Sequence, residues 1–327
     1  MKQFNNLSLD VDIENNKSLL HKHIKDKNIL VVGGAGSIGI SYIKAILEYK
    51  PSKITIVDIN ENGLTELTRD LRSSNLLDYN PVYITYPVSL LSDTFDKVFK
   101  SDFWDIVANF SAHKHVRSEK DGISVEALIK NNVFGIIKLL DFCKKNPPKF
   151  FFSVSTDKAA YPVNIMGASK SLMEKLILSK KNKFRVSTAR FANVAFSKGS
   201  ILEFAFKRIN EKLPFGIPKN IKRYFINHRE ACNLCFKSIL PQGNGKITIP
   251  SEKLSVKEEY IYKVIEKLLR IKKTNYKFKK KVNIFKKGNL QIELKDQKSQ
   301  GQKISETFKE RDENVFIIKS DKEILVI

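Results

Sequence analysis

The stretch Ser153–Lys170 reads SVSTDKAAYPVNIMGASK and holds a hydroxyl, a carboxylate and two amines at Thr156, Asp157, Lys158 and Lys170. A lysine becomes a usable base when desolvation disfavours its charged form, and a carboxyl becomes a usable acid for the same reason. Each such role is worth on the order of 10²–10⁴ in rate. Met166 lies four residues before Lys170 and brings no titratable proton. Thr156, Asp157, Lys158, Lys170 and the Met166 position form the candidate catalytic set.

Position decides whether such groups meet. Phe150, Phe151, Phe152 and Val154 lead in as a buried strand, so the polar run begins where that strand ends. Residues from Gly167 suit a helix, which carries Lys170 one turn in and toward the same crevice. Open α/β sheets bind their ligands at the carboxyl ends of the strands.

A second group of residues points to the ligand. Asn28–Val32 is a buried strand, followed by Gly33-Gly34-Ala35-Gly36-Ser37-Ile38-Gly39, a helix stopped by Pro51, a strand Lys53–Val57, and Asp58. Strand, glycine turn, helix, strand and acid within about thirty residues make the βαβ dinucleotide unit. Gly33 permits the tight turn, Gly36 lets the backbone approach a pyrophosphate, and Gly39 lets helix and strand pack closely. The helix start at Ser37 and Ile38 offers N–H groups and a partial positive charge to phosphates. Asp58 suits ribose hydroxyls and repels a 2′-phosphate. No basic residue follows in Ile59-Asn60-Glu61, so NAD is favoured over NADP.

Strands at Val82–Tyr86, Asp105–Phe110 and Arg185–Arg190 alternate with helices at Phe95–Ser101 and Val125–Lys145. The pattern predicts an α/β fold: a Rossmann-type doubly wound parallel sheet with a smaller C-terminal substrate-binding lobe. We divide the chain into an N-terminal arm (1–26), an NAD-binding domain (27–197) and a partly interleaved lobe (198–327). The lobe shows helices at Ile201–Glu211, Arg229–Leu240 and Lys257–Ile271, then a lysine-rich, poorly periodic tail.

The 327 residues carry a net charge of +23, supplied mostly by lysine alongside much Asn and Ile. That mixture reads as compositional drift; arginine clusters and aromatic platforms of a nucleic-acid surface are missing, while an anionic substrate is favoured. Cys143, Cys232 and Cys235 form no disulfide framework, which fits a reducing compartment. The C-x-x-C at 232 and 235 lies on one face of an amphipathic helix with no second ligand pair, so both read as small core residues and no metal is expected. With no leader and no apolar run of spanning length, a cytoplasmic protein is expected.

Together these residues resemble the extended short-chain dehydrogenase/reductase family, and within it the nucleotide-sugar 4,6-dehydratases of polysaccharide biosynthesis. The resemblance runs from Lys27 to Ile249. It rests on Gly33–Gly39, Ser111–Val116 with Arg117–Asp121, Asn132, Ser155–Lys158, Met166–Lys170, Arg190–Val194, Gly199-Ser200 and Arg223-Tyr224-Phe225. It implies bound NAD and a UDP-sugar substrate, with UDP-N-acetylglucosamine the first choice. Ser111 and Ala112 would border the nicotinamide, Lys114 the sugar, and Lys170 the nicotinamide ribose. Asn193, Gly199, Ser200 and Arg223 would hold the UDP portion. Relatives pair through the helices corresponding to Val125–Lys145 and Gly167–Lys180, which implies a homodimer or higher homo-oligomer.

Two positions depart from the family. Ser89 stands where many relatives carry an adenine-contacting Asp, and Met166 replaces the family's acid/base tyrosine, as in some membrane-anchored relatives. The chain looks like the soluble portion of such an enzyme. Tyr161 is the alternative phenol, but it precedes Pro162 and belongs to a loop. Two other readings compete: an NAD-dependent UDP-sugar 4-epimerase, which has no need of Asp157 and Lys158, and a non-catalytic nucleotide-binding scaffold.

Overall fold

The computed structural model describes residues 7–115, 119–180, 182–250, 258–279, 290–296, 306–314, 316–317 and 324–326. Along the chain lie α1 (Leu7–Ile24), β1 (Asn28–Val32), α2 (Ser37–Leu47), β2 (Lys53–Val57), α3 (Glu61–Ser73), β3 (Val82–Tyr86) and α4 (Asp93–Lys100). Then come β4 (Ile106–Asn109), α5 (Gly122–Ile129), a π-turn (Lys130–Phe134), α6 (Gly135–Lys145), β5 (Phe150–Thr156), α7 (Ile165–Ile177) and β6 (Arg185–Phe191). The later elements are β7 (Asn193–Val194), α8 (Ile201–Asn210), β8 (Phe215–Pro218), β9 (Lys222–Arg223), β10 (Phe225–Ile226), α9 (His228–Ile239) and β11 (Lys246–Pro250). They end with β12 (Glu259–Tyr260), α10 (Ile261–Ile271), β13 (Tyr276–Lys279), β14 (Leu290–Lys295), β15 (Phe316–Ile317) and β16 (Ile324–Val326).

The central sheet has the order β15-β16-β11-β6-β5-β4-β1-β2-β3. From β11 to β3 neighbouring strands run parallel, while β16 and β15 add antiparallel edge strands. Sequence reading anticipated the doubly wound parallel sheet, and the structure has it. Strands buried on both faces must be apolar along their length. Accordingly Phe150, Phe151 and Phe152 are all buried to 1 % or less exposure, and each contributes roughly 1.5–3 kcal/mol.

The chain forms two compact units. One contains Asn6–Phe191, His228–Leu254 and Thr307–Ile327; the other contains Ala192–Asn227 and Ser255–Glu306. The lobe assigned by sequence to 198–327 is therefore interleaved twice. α9 is buried nearly all round, with Ala231, Leu234 and Cys235 fully covered. It packs on β5, β6 and β11 and against α1 and α2, so both faces are used within the first unit. Cys232 and Cys235 are core residues, and burial pushes the Cys232 thiol up to about 12. β11, assigned by sequence to the lobe, pairs with β6 in the central sheet.

The segment read as an arm is the helix α1, with Leu20 and Ile24 fully buried. The helix expected at Val125–Lys145 is two helices joined by the π-turn. The start of the last helix expected at Lys257 lies outside the described residues; the helix observed begins at Ile261. The second unit has its own core of Leu202, Phe215, Ile217, Ile265, Leu269 and Ile292. Its small parallel sheet has the order β13-β14-β8.

In the first unit a buried ion network ties β5, α7, β6 and the tail together. Arg190 grips Glu174 through Nε–Oε1 (2.9 Å) and Nη2–Oε2 (2.7 Å). It grips Glu313 through Nη1–Oε2 and Nη2–Oε1, both 2.8 Å, and donates to the Phe308 carbonyl at 2.9 Å. Ser155 donates to Glu174 from the strand side. Arg190→Met leaves a carboxylate buried without its partner, so urea denaturation should show a loss of about 3–5 kcal/mol. Arg190→Met/Glu174→Leu should recover part of it. A single variant as stable as the parent would contradict the network's role.

Candidate active site

The candidate catalytic groups sit at the carboxyl end of β5. Thr156, opposite Phe191 of β6, closes the strand, and Asp157–Ala159 form one 3₁₀ turn. The Thr156 hydroxyl donates to Asp157 Oδ1 at 2.7 Å, and Lys158 Nζ donates to the same oxygen at 3.1 Å. Asp157 is 1 % exposed, while the Lys158 side chain keeps a quarter of its surface. The structure thus gathers a hydroxyl, a carboxyl group and a lysine amine into one hydrogen-bonded cluster.

α7 begins at Ile165, two residues before the expected Gly167, because Asn164 caps it: Asn164 Oδ1 accepts from the Gly167 N–H at 2.7 Å. A polar Asn just before an apolar helical run was the available signal. Gly167 has its own reason. A Cβ there would lie 2.5 Å from the Lys158 carbonyl oxygen, so only glycine lets the helix approach the 3₁₀ turn this closely.

Lys170 is buried, with Nζ donating to the Val154 carbonyl at 3.0 Å and touching Met173 Sδ at 3.4 Å. Burial lowers its pKa to about 8, against the opposing pull of Glu174. Burial also holds the Glu174 carboxyl above the usual carboxylate range, outweighing the bonds from Arg190 and Ser155. Met166 is 1 % exposed; its N–H donates to Glu119 Oε1 at 2.7 Å and its carbonyl accepts from Ser169 Oγ at 2.7 Å. Tyr161 is exposed, with φ +47°; its N–H donates to Glu310 and its hydroxyl accepts from the Arg311 N–H. That phenol is engaged by the tail.

The glycine turn has the shape a dinucleotide needs. Gly33 has φ +77°, and a Cβ there would lie 2.4 Å from the Ser111 nitrogen. A Cβ on Gly39 would meet the Gly33 oxygen at 2.5 Å. Gly34, which sequence reading did not single out, would meet Ile56 at 2.3 Å. At Gly36 the nearest atom would be 3.4 Å away, so the protein itself tolerates a side chain there. The absence of a side chain leaves the Gly36 backbone open to an approaching ligand. No side chain caps α2 at Gly36, whereas Asn60, Ser92, Asp121 and Asn164 cap α3, α4, α5 and α7. The N-terminal N–H groups of α2, at Ser37 and Ile38, suit a pyrophosphate. Asp58 is fixed beside the turn, accepting from Ala35 N and Asn60 N at 2.9 Å each. These residues fit NAD. Ser89 uses its hydroxyl locally, accepting from Leu91 N at 3.2 Å.

Asn132, on the π-turn, organises the loop after β4. It accepts from His113 N at 2.8 Å, and donates to the His113 carbonyl and to Ser169 Oγ at 3.0 Å each. Ser111 N is held by Asn109 and its hydroxyl reaches Asn131. Ala112 lies in the same loop, and Lys114 is exposed. Val116, Arg117 and Ser118 lie outside the described residues.

The second unit holds the residues assigned to the nucleotide. Glu306 accepts from Asn193 Nδ2 at 2.6 Å and Tyr224 N at 2.8 Å, and pairs with Arg223 Nε at 3.4 Å. Sequence reading missed Glu306, since it stands in the aperiodic tail. Gly199 has φ +77°, and Ser200 caps α8 by accepting from Glu203 N, while Glu203 accepts from Gly199 N.

Known proteins resemble this chain in sequence and in fold. The model of the polysaccharide biosynthesis protein family matches residues 29–326. An uncharacterized membrane protein of Methanocaldococcus jannaschii is 34 % identical over 75 % of this chain and 72 % of its own length. An inverting UDP-N-acetylglucosamine 4,6-dehydratase of Campylobacter jejuni is 32 % identical over 68 % of this chain; the match spans 66 % of that enzyme. Among solved structures, Pen from Bacillus thuringiensis superimposes with a TM-score of 0.76 at 22 % identity, covering 93 % of this chain and 88 % of that one. Among the described residues no helix is long and apolar enough to cross a membrane. The chain belongs to the polysaccharide biosynthesis protein family of extended short-chain dehydrogenase/reductases.

Proposed function

We propose that the chain is an NAD-dependent nucleotide-sugar 4,6-dehydratase that converts UDP-N-acetylglucosamine to a UDP-4-keto-6-deoxy-N-acetylhexosamine. The observation that carries this reading is the Thr156–Asp157–Lys158 cluster, with two donors on one buried carboxylate oxygen. Eliminating water across C5′ and C6′ needs a base at the C5′ hydrogen and an acid at the 6-hydroxyl, and an epimerase needs neither. NAD, held by the glycine turn, the α2 N-terminus and Asp58, supplies when bound the acceptor that takes a hydride from C4′ and returns it to C6′.

The two groups close a balanced proton cycle, which starts with Lys158 neutral and Asp157 ionised. As C4′ is oxidised, the 4-hydroxyl proton passes to Thr156 Oγ while the Thr156 proton moves to Asp157. Lys158 then removes the C5′ proton, and Asp157 protonates the departing 6-hydroxyl, which leaves as water. Finally the Lys158 ammonium returns a proton to C5′, restoring both groups. Thr156 already donates to Asp157, so this route needs no phenol at position 166. Lys170, charged below about pH 8, favours loss of the 4-hydroxyl proton electrostatically. Asn193 and Arg223 bind the UDP portion, with Glu306 orienting both.

Incubation of the purified protein with UDP-N-acetylglucosamine and NAD⁺ should yield a sugar nucleotide lighter by one water, with a new methyl signal in the proton spectrum. A C4 epimer of unchanged mass would overturn the reading in favour of epimerisation, and untouched substrate would leave a binding scaffold. Asp157→Asn and Lys158→Ala should each lower dehydration by about 10²–10⁴ while NAD still binds. Wild-type turnover in either variant would refute the acid and base roles of this pair.

The buried Lys170 also sets a pH dependence. Its folded pKa is below the unfolded value of about 10.4, so between pH 8 and 10 the unfolded state holds the extra proton and stability rises with pH. Lys170→Met removes this slope, which amounts to about 3 kcal/mol across the window. Parallel urea titrations of wild type and Lys170→Met should therefore converge or cross as the pH rises; a constant offset would contradict the burial.

A further inference from the structure

We infer that the first unit carries a second ligand site, for a small phosphate monoester, at the amino-terminal ends of β4, β5 and β6. A cavity of about 350 Å³ opens there, lined by His23, Lys27, Asp105, Lys149, Phe150 and Arg185 with aliphatic walls. That volume lies at the lower end of the range for small-molecule pockets. β5 runs from Phe150 at this cavity to Thr156 at the catalytic cluster, so the two sites lie ~20 Å apart at the strand rise of about 3.3 Å per residue.

The charge of the cavity is strongly one-sided. Asp105, its one carboxylate, is already occupied: Oδ1 pairs with Lys149 at 2.8 Å, and Oδ2 accepts from Asn28 N at 2.9 Å. Lys27 and Arg185 remain, and among the described residues no carboxylate lies in ion-pair contact with either. Two uncompensated cations match a phosphate dianion, and Arg185 offers it a planar fork. The Arg185 guanidinium lies 5.4 Å from the centre of the Phe150 ring. That stacking fixes its orientation and leaves an apolar wall for the organic half of an ester. His23 records the local field: burial, then Arg185, Lys22 and Lys27, hold its pKa below the ordinary value. An arriving anion relieves that repulsion. Surface lysines alone would not make such a site; the partly buried, stacked arginine beside an apolar wall does.

The imidazole of His23 is the reporter. With NAD⁺ present at saturation, its proton resonance, assigned by His23→Gln, is followed while inorganic phosphate or glucose 6-phosphate is added. Sodium chloride of matched ionic strength serves as the control. The site predicts a saturable shift and a rise in the His23 pKa, with the ester binding more tightly than inorganic phosphate. Arg185→Gln should weaken binding about tenfold or more, the loss expected for a charged hydrogen bond. Lys27→Gln, at a partly buried position outside the hydrophobic core, should weaken it as well and keeps the test open if Arg185→Gln fails to fold. The inference is overturned if chloride reproduces the shift, if no saturation is reached, or if Lys27→Gln responds like wild type. Equal affinity for inorganic phosphate and the ester would overturn the assignment to a monoester.

Discussion

Everything at the carboxyl end of β5 depends on one buried guanidinium. Arg190, on β6, faces Ser155 across the parallel ladder and grips Glu174 of α7 and Glu313 of the tail with two prongs each. A charged group is costly to bury, and this one has its whole donor set matched, which is the condition under which such a network holds. The result is a fixed distance between the strand end that presents Thr156 and the helix that presents Lys170. An apolar cluster of the same size would tolerate sliding; a planar fork meeting two carboxylates does not.

Around that anchor, small residues permit close approach. Gly167 brings α7 against the Lys158 carbonyl, Gly33 brings the glycine turn against the loop after β4 at Ser111, and Gly39 brings the first turn of α2 against the Gly33 carbonyl. Asn132 then laces the loop after β4 to α7 through His113 and Ser169. It does so from a π-turn, a local widening of the helix that re-aims a side chain. Asp157, Lys158 and Thr156 therefore rest on a rigid surround of strands and helix starts.

Both units draw an organising carboxylate from the same distant part of the chain. Glu306 collects Asn193, Tyr224 and Arg223 in one unit, and Glu313 completes the Arg190 network in the other. A tail without periodicity therefore supplies two of the more consequential polar contacts. In both cases the partner is an arginine that would otherwise be buried with a charge to satisfy.

The sequence by itself determined the alternation of strand and helix, the dinucleotide turn, and the Thr156–Asp157–Lys158 cluster. These are local: hydrophobic period, glycine spacing and consecutive residues carry them without reference to the rest of the chain. It also showed Met166 as a proton-free position and Cys232 and Cys235 as core residues. Only the tertiary structure decided that α1 packs into the first unit, that α9 and β11 return to the central sheet, and that Glu174, Glu306 and Glu313 matter. Those facts depend on contacts between separate elements of the chain, and an amphipathic pattern says that a face is buried without saying against what. A carboxylate in a lysine-rich tail looks like any solvated charge until the fold brings an arginine to it.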